Sequence, residues 1–133
     1  MKTILLGLDA FDPNRFEALF ERGLLPNLGK FVEANQYSRF RISNPAQSEV
    51  SWTSIATGLN PGAHGMFDFV HRNSKNYGLH VSLLPTQSGI AGTQFVPPYN
   101  AKTIFDMAAD QGYPATALWW PAMFPARVPS SCE

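Results

Sequence analysis

Cysteine is almost missing from this chain: Cys132 stands alone. It can close no disulfide within the chain and build no thiolate metal cluster. Charge is scarce at 15% and cancels, with ten Lys+Arg against ten Asp+Glu. No basic stripe exists, so no nucleic-acid partner is expected. No apolar run approaches the ~20 residues of a membrane span, so no transmembrane segment is expected. The apolar start of the chain ends at Asp9 without a small-residue cleavage site after it, which predicts a buried strand instead of a signal peptide and a cytoplasmic protein. Repeats and low-complexity linkers are absent. The three histidines show neither H-x-x-x-H nor H-E-x-x-H spacing. His71 and His80 therefore read as structural residues.

What is present is an ordinary globular composition. Hydrophobic residues make up 44% and aromatics 13% of 133 residues, which excludes disorder and leaves room for one domain. Residues 2–8 read as a buried strand of a parallel sheet. Asp12-Pro13 opens a helix with Phe16, Leu19 and Phe20 on its apolar face and Gly23 at its end. A second helix starts at Leu25-Pro26-Asn27-Leu28 and places Leu28, Phe31 and Val32 together. Residues 37–42 alternate and predict a strand, with Arg39 and Arg41 on one face. A turn is expected over residues 73–76 and a strand over 79–84. Residues 85–99 read as a loop, either a lid or a surface excursion. Asn100 is expected to cap a helix over 102–111, and residues 115–119 to form the last strand. The order β, α, α, β, α, β, α, β predicts an α/β fold, a mostly parallel sheet flanked by helices. The strand at 79–84 is the expected exception to parallel pairing.

The most informative stretch is residues 44–69, NPAQSEVSWTSIATGLNPGAHGMFDF. Asn44-Pro45 breaks regular structure. Ser48 falls at the N-cap of a short helix whose apolar face is Trp52, Ile55 and Ala56. Gly58 stops that helix, and Asn60-Pro61-Gly62 is turn chemistry. A serine in this place has two uses. Its hydroxyl can cap a backbone N–H. It can also be a nucleophile, with the helix dipole and free N–H groups stabilising the alkoxide and holding phosphate oxygens. Asp9 has a similar double reading. At the carboxyl end of a strand in an open α/β sheet it faces the ligand crevice, as a cap, a salt-bridge partner or a metal ligand.

The run from Ser48 through Ser54, then Ala56-Thr57-Gly58-Leu59-Asn60-Pro61-Gly62-Ala63-His64-Gly65 and Phe67-Asp68-Phe69, resembles the nucleophile segment of the type I phosphodiesterase/nucleotide pyrophosphatase family of the alkaline phosphatase superfamily. That family carries a T-G-x-x-P-x-x-H-G signature with a Ser or Thr ten residues before its glycine, the place of Ser48. Gly7-Leu8-Asp9-Ala10 is similar to its first motif. The resemblance implies an alkaline-phosphatase-like fold, Ser48 as nucleophile and metal ligand, Asp9 as metal ligand, and His64 as a hydrogen-bonding brace of the nucleophile loop. It implies two divalent ions, commonly zinc, and hydrolysis of a small phosphate ester through a phosphoserine.

Only Asp9 and Ser48 of the family's metal ligands have counterparts here. Residues 1–133 are thus expected to be the N-terminal part of one incomplete alkaline-phosphatase-like domain. The rest of that domain, or a second copy in a homo-oligomer, is the expected partner. The asparagine that binds phosphate in the family's nucleotide pyrophosphatases is replaced by Phe69, so the resemblance implies a phosphodiesterase or phosphatase with no particular nucleotide. A sulfatase is disfavoured, since Ser48-Glu49-Val50-Ser51-Trp52 is not C/S-x-P-x-R. Two alternatives stand beside the hydrolase: a phosphoglycerate mutase-like phosphotransferase, and an inactive or partner-dependent fragment that keeps the fold.

Overall fold

Proline and aspartate set the first helix. In the computed structural model, which describes residues 2–72, 76–82, 86–90 and 92–126, α1 spans Pro13–Glu21 with Pro13 in its first turn. Asp12 is its cap, and the Asn14 N–H donates to Asp12 Oδ1 at 2.9 Å. The helix closes through Gly23, at φ 68°, a left-handed turn that glycine adopts without strain. The Gly23 N–H reaches Phe20 O at 2.8 Å and the Leu24 N–H reaches Leu19 O at 3.0 Å. A short α2, Gly29–Glu33, follows.

The chain divides into two compact units, residues 1–41 and 42–133. In the first, Phe16 is buried and its ring meets Phe11 and Tyr37 at 5.2 and 5.0 Å. Glu17 gathers a polar cluster over α1. It accepts from the Tyr37 hydroxyl at 2.9 Å and from Arg39 Nε at 2.7 Å, and it pairs with the Arg39 guanidinium. The Arg39 hydrogen bond, then that of Tyr37, pulls the Glu17 carboxyl down to about 2. Arg39 also donates to Asn14 Oδ1 at 2.8 Å. Its guanidinium is thereby held against α1.

The second unit contains α3 (Ser48–Thr57), α4 (Pro61–His64), β1 (Val70–Arg72), β2 (Leu79–Val81), β3 (Thr86–Gly89), β4 (Gly92–Phe95) and α5 (Ile104–Asp110). β1 and β2 pair antiparallel, Val70 opposite Val81. β3 and β4 form a second antiparallel ribbon, Thr86 opposite Phe95 and Gly89 opposite Gly92. Val50, Met66 and Tyr99 are the buried apolar cluster, with Ala101 and Ala122 against it. Trp120 joins α3 to α5: its ring stands edge-on to Trp52 and Phe105, both at 5.2 Å, and its Nε1–H donates to Trp52 O.

An α/β fold is therefore observed, but the sheet pairing differs from expectation. Among the described residues both ladders are antiparallel. Residues 2–8, 37–42 and 115–119 form no ladder. The apolar side chains expected to be buried there are exposed, Ile4 at 91%, Leu6 at 80% and Trp119 at 94%. A buried parallel strand needs a neighbour on each edge and helices over both faces, and the described residues place none there. The 79–84 strand does pair antiparallel, as expected of it, and ends at Val81. Leu83 and Leu84, like residues 73–75 of the predicted turn and the terminal Cys132, lie outside the described residues.

Two further corrections are local. The predicted loop over 85–99 contains the β3–β4 ribbon. Gly89 pairs with Gly92, a close return of the chain that the surrounding prolines obscure in the sequence. The cap of α5 is Thr103 and not Asn100. Thr103 Oγ1 accepts from the Asp106 N–H, and the Asp106 carboxylate accepts from the Thr103 N–H at 2.7 Å, a complete capping box. Thr103→Ala is expected to lower unfolding stability by about 1 kcal/mol, read from the urea midpoint. Thr103→Ser should recover most of it.

Candidate functional site

α3 carries the site. Its cap position is Gln47, in extended conformation, and Ser48 is the first helical residue. This shifts the predicted cap by one position: Ser48 sits inside the first turn. The first bond of the helix runs from the Ser51 N–H to Gln47 O at 2.9 Å. The N–H groups of that first turn have no carbonyl within the helix and face outward from its positive end. Ser48 is half-buried there. Gly58, at φ 69°, ends the helix and donates to Ser54 O at 2.8 Å.

The buried face of α3 is Glu49, Val50, Thr53, Ala56 and Thr57. Of the predicted face of Trp52, Ile55 and Ala56 it includes only Ala56; Ile55 is exposed. Apolar spacing alone missed this because three of the five buried residues are polar. Glu49 is the least expected, at 2% exposure. The Ser82 hydroxyl bonds to Glu49 Oε2. Ser82 Oγ also lies 3.2 Å from Asp68 O and 3.1 Å from Phe69 O. A hydroxyl has one hydrogen, and here three acceptors surround it. The carboxylic acid form of Glu49 brings a second hydrogen and balances the set. Burial, and behind it the charge of Asp68, pushes the Glu49 carboxyl up from its ordinary value. Glu49 Oε1 and, one turn on, Thr53 Oγ1 are buried without a protein partner.

A group whose folded pKa is raised favours folding in full below its unfolded value and loses that contribution as pH rises through the folded one. Glu49→Gln keeps the shape and cannot ionise. The variant is expected to match the parent near pH 4 and to exceed it in urea midpoint as pH rises toward 8. Equal midpoints across that range would show that Glu49 ionises freely.

His64 is the second buried polar residue, 2% exposed, at the end of α4. Its Nδ1 accepts the Met66 N–H at 3.1 Å, so the ring hydrogen is on Nε2. Nε2–H then points at Ser54 Oγ, 3.0 Å away, which also accepts from the Ser43 hydroxyl at 3.3 Å. This orientation settles a tempting alternative. Ser54 and His64 have the spacing of a nucleophile and its base, but the nitrogen facing Ser54 carries the hydrogen and cannot take one. Burial lowers the pKa of His64 and keeps it neutral. His64 therefore braces the segment after α3, as expected of it.

Asp9 is exposed, in a turn of the first unit; Ser48 belongs to the second. Among the described residues no group of three or more His, Cys, Asp or Glu is placed to hold a metal ion. A tetrahedral zinc takes about four donors, and Asp9 with Ser48 makes two. The described residues do not complete such a site. Phe69, in the place of the pyrophosphatase asparagine, is half-buried and its N–H is held by Asp68 Oδ1 at 2.7 Å. Glu49 and Ser82 were not legible as partners: a glutamate after Ser48 reads as a solvated charge favourable to the helix dipole.

No helix of the described residues is long and apolar enough to cross a membrane. No curated protein and no solved structure matches the chain. A family profile does: that of type I phosphodiesterase / nucleotide pyrophosphatase, over residues 3–132. The match includes Asp9, the whole of α3 and the loop braced by His64, and its family is one of phosphoester hydrolases. Spanning nearly the entire sequence, it establishes that this chain belongs to the type I phosphodiesterase / nucleotide pyrophosphatase family.

Proposed function

We propose that the chain carries the nucleophile of a phosphoester hydrolase and that Ser48 is that nucleophile. The observation that supports it most is the position of Ser48 in the first turn of α3, within the family match. There the helix end can bind the non-bridging oxygens of a phosphate and favour the ionised hydroxyl. Attack by Ser48 Oγ would form a serine–phosphorus bond and release the alcohol. Water would then cleave the phosphoserine and restore the hydroxyl. Glu49 and His64 fix the two ends of this segment, to Ser82 and to Ser54.

A divalent cation, zinc by family resemblance, would lower the pKa of the serine hydroxyl and offset the charge of the phosphate. Asp9 and Ser48 would be two of its oxygen donors. The remaining ligands would come from outside the described residues, which accords with residues 1–133 being the N-terminal part of an alkaline-phosphatase-like domain. The exposed apolar residues of 2–8 and 115–119 are where such a part, or a second copy, would pack. The same exposure favours a second reading, an inactive or partner-dependent fragment.

The test is to trap the intermediate. The chain is incubated with zinc and an aryl phosphodiester and quenched in acid. The peptide spanning Ser48 is expected to gain the mass of the transferred phosphoryl group. Phosphorylation of another serine would remove Ser48 from the role. Absence of both phosphopeptide and turnover would favour the fragment.

A further inference from the structure

The residue that follows Ser48 stands on one support. Glu49 is 2% exposed, and its Oε1 is buried without a protein partner. Its Oε2 meets the Ser82 hydroxyl. Among the described residues the buried carboxyl therefore rests on Ser82. Ser82 is itself 2% exposed and firmly held. Its N–H donates to Phe69 O at 2.9 Å, and its Oγ lies 3.2 Å from Asp68 O and 3.1 Å from Phe69 O. It extends the β1–β2 ladder by one pair, so the support is sheet backbone and not a free loop.

The first turn of α3 has few other directional ties. Its first helical bond runs from the Ser51 N–H to Gln47 O, and the N–H groups before it have no carbonyl within the helix. Val50 anchors the same turn by packing with Met66 and Tyr99. Apolar packing is non-directional. A hydrogen bond has a direction, so the Glu49–Ser82 bond can fix the rotation of the turn where Val50 fixes its depth.

We propose that Ser82 is a positioning residue for the reaction at Ser48: through Glu49 it orients the first turn of α3 and so aims the Ser48 hydroxyl. The inference rests on the proposed hydrolase reading for its chemical half. Without the Ser82 hydroxyl both Glu49 oxygens would be buried and unpartnered, which is more costly than losing one ordinary hydrogen bond. Turning the carboxyl out to water relieves that cost. The turn must follow, because Glu49 and Ser48 share a peptide bond. A shift of about 1 Å at a reacting group is enough to slow a reaction about a hundredfold.

Hydrolysis of p-nitrophenyl phenyl phosphate with zinc tests the chemical half. Ser82→Ala is expected to lower kcat by about tenfold to a hundredfold, with KM within about twofold. Glu49→Leu fills similar space without the bond and should lose as much. The double variant should lose no more than either single one, because residues that act as a unit are not additive. Glu49→Gln keeps an oxygen for Ser82 and should retain kcat. Thr53→Ala, one turn along the same buried face, should lower the urea midpoint and leave kcat unchanged. Additive losses, or an equal loss of kcat in Thr53→Ala, would reduce Ser82 to a structural residue and overturn the proposal.

Hydrogen exchange reads the same turn without turnover. The Ser51 amide, bonded to Gln47 O at 2.9 Å, should exchange about tenfold faster in Ser82→Ala. The Gly58 amide, bonded to Ser54 O at 2.8 Å at the far end of α3, should not change. That result in a chain without turnover would keep the support of the turn by Ser82 and reject the hydrolase. An unchanged Ser51 amide would overturn the positioning role and leave the hydrolase standing.

Discussion

Ser48→Ala is expected to reduce zinc-supported hydrolysis of an aryl phosphodiester by about a thousandfold or more, since loss of a covalent nucleophile removes the reaction path itself. Stability should change little. Ser48 is the first helical residue and Gln47 holds the cap position, so the substitution does not delete the cap of α3, and about 1 kcal/mol bounds its effect. This separation makes the variant decisive. A serine that mattered only to the helix would shift the urea midpoint and leave the rate alone. Ser51→Ala is the matched control. Its hydroxyl is buried without a protein partner, so its removal should be neutral or slightly stabilising and should leave the rate unchanged. Equal rates in parent and Ser48→Ala would withdraw Ser48 from the chemistry.

How far the sequence foretold this site depends on which force fixed each part. Short-range chemistry was legible. Asp12-Pro13 caps and opens α1, Gly58 ends α3, and Asn60-Pro61 starts a helical turn, each through groups a few residues apart. His64 could be assigned its bracing role by resemblance, though the sequence could not say which nitrogen carries the hydrogen. That depends on the Met66 N–H reaching Nδ1. Burial was the weak point. Apolar periodicity pointed to Trp52, Ile55 and Ala56, whereas α3 buries Ala56 together with the polar Glu49 and Thr53. Glu49 meets Ser82, 33 residues away, and no local pattern reports such a pairing. The runs at 2–8 and 115–119 show the converse failure. Their composition suits a buried parallel strand, but burial is a property of neighbours and not of the run itself.

His64→Ala is expected to destabilise the second unit by about 3 kcal/mol, from two lost hydrogen bonds and the cavity left by a buried ring. Against a typical domain stability of about 5–15 kcal/mol this is a large share. The ring links three parts of the site. Nε2–H holds Ser54 on α3, Nδ1 holds the Met66 N–H, and Met66 packs on Val50 in the helix's first turn. Losing it should loosen the turn that presents Ser48, so activity should fall along with stability. His64→Asn tests the geometry more finely. Its Oδ1 can take the place of Nδ1 for Met66 but cannot reach Ser54, and it should recover about 1 kcal/mol. The pH dependence follows from the same contacts. Protonation would put a hydrogen on Nδ1, against the Met66 N–H, in a buried place. The folded pKa lies below the free value for that burial. Stability is therefore full above the free histidine value of about 6.5, and is lost as pH falls below it toward and through the folded value. For this one proton the slope cannot exceed about 1.4 kcal/mol per pH unit. Urea midpoints from pH 8 to pH 5 should show that decline in the parent and a flatter profile in His64→Asn. Parallel profiles would mean that His64 takes up its proton without disturbing the loop, and the brace would not depend on its tautomer.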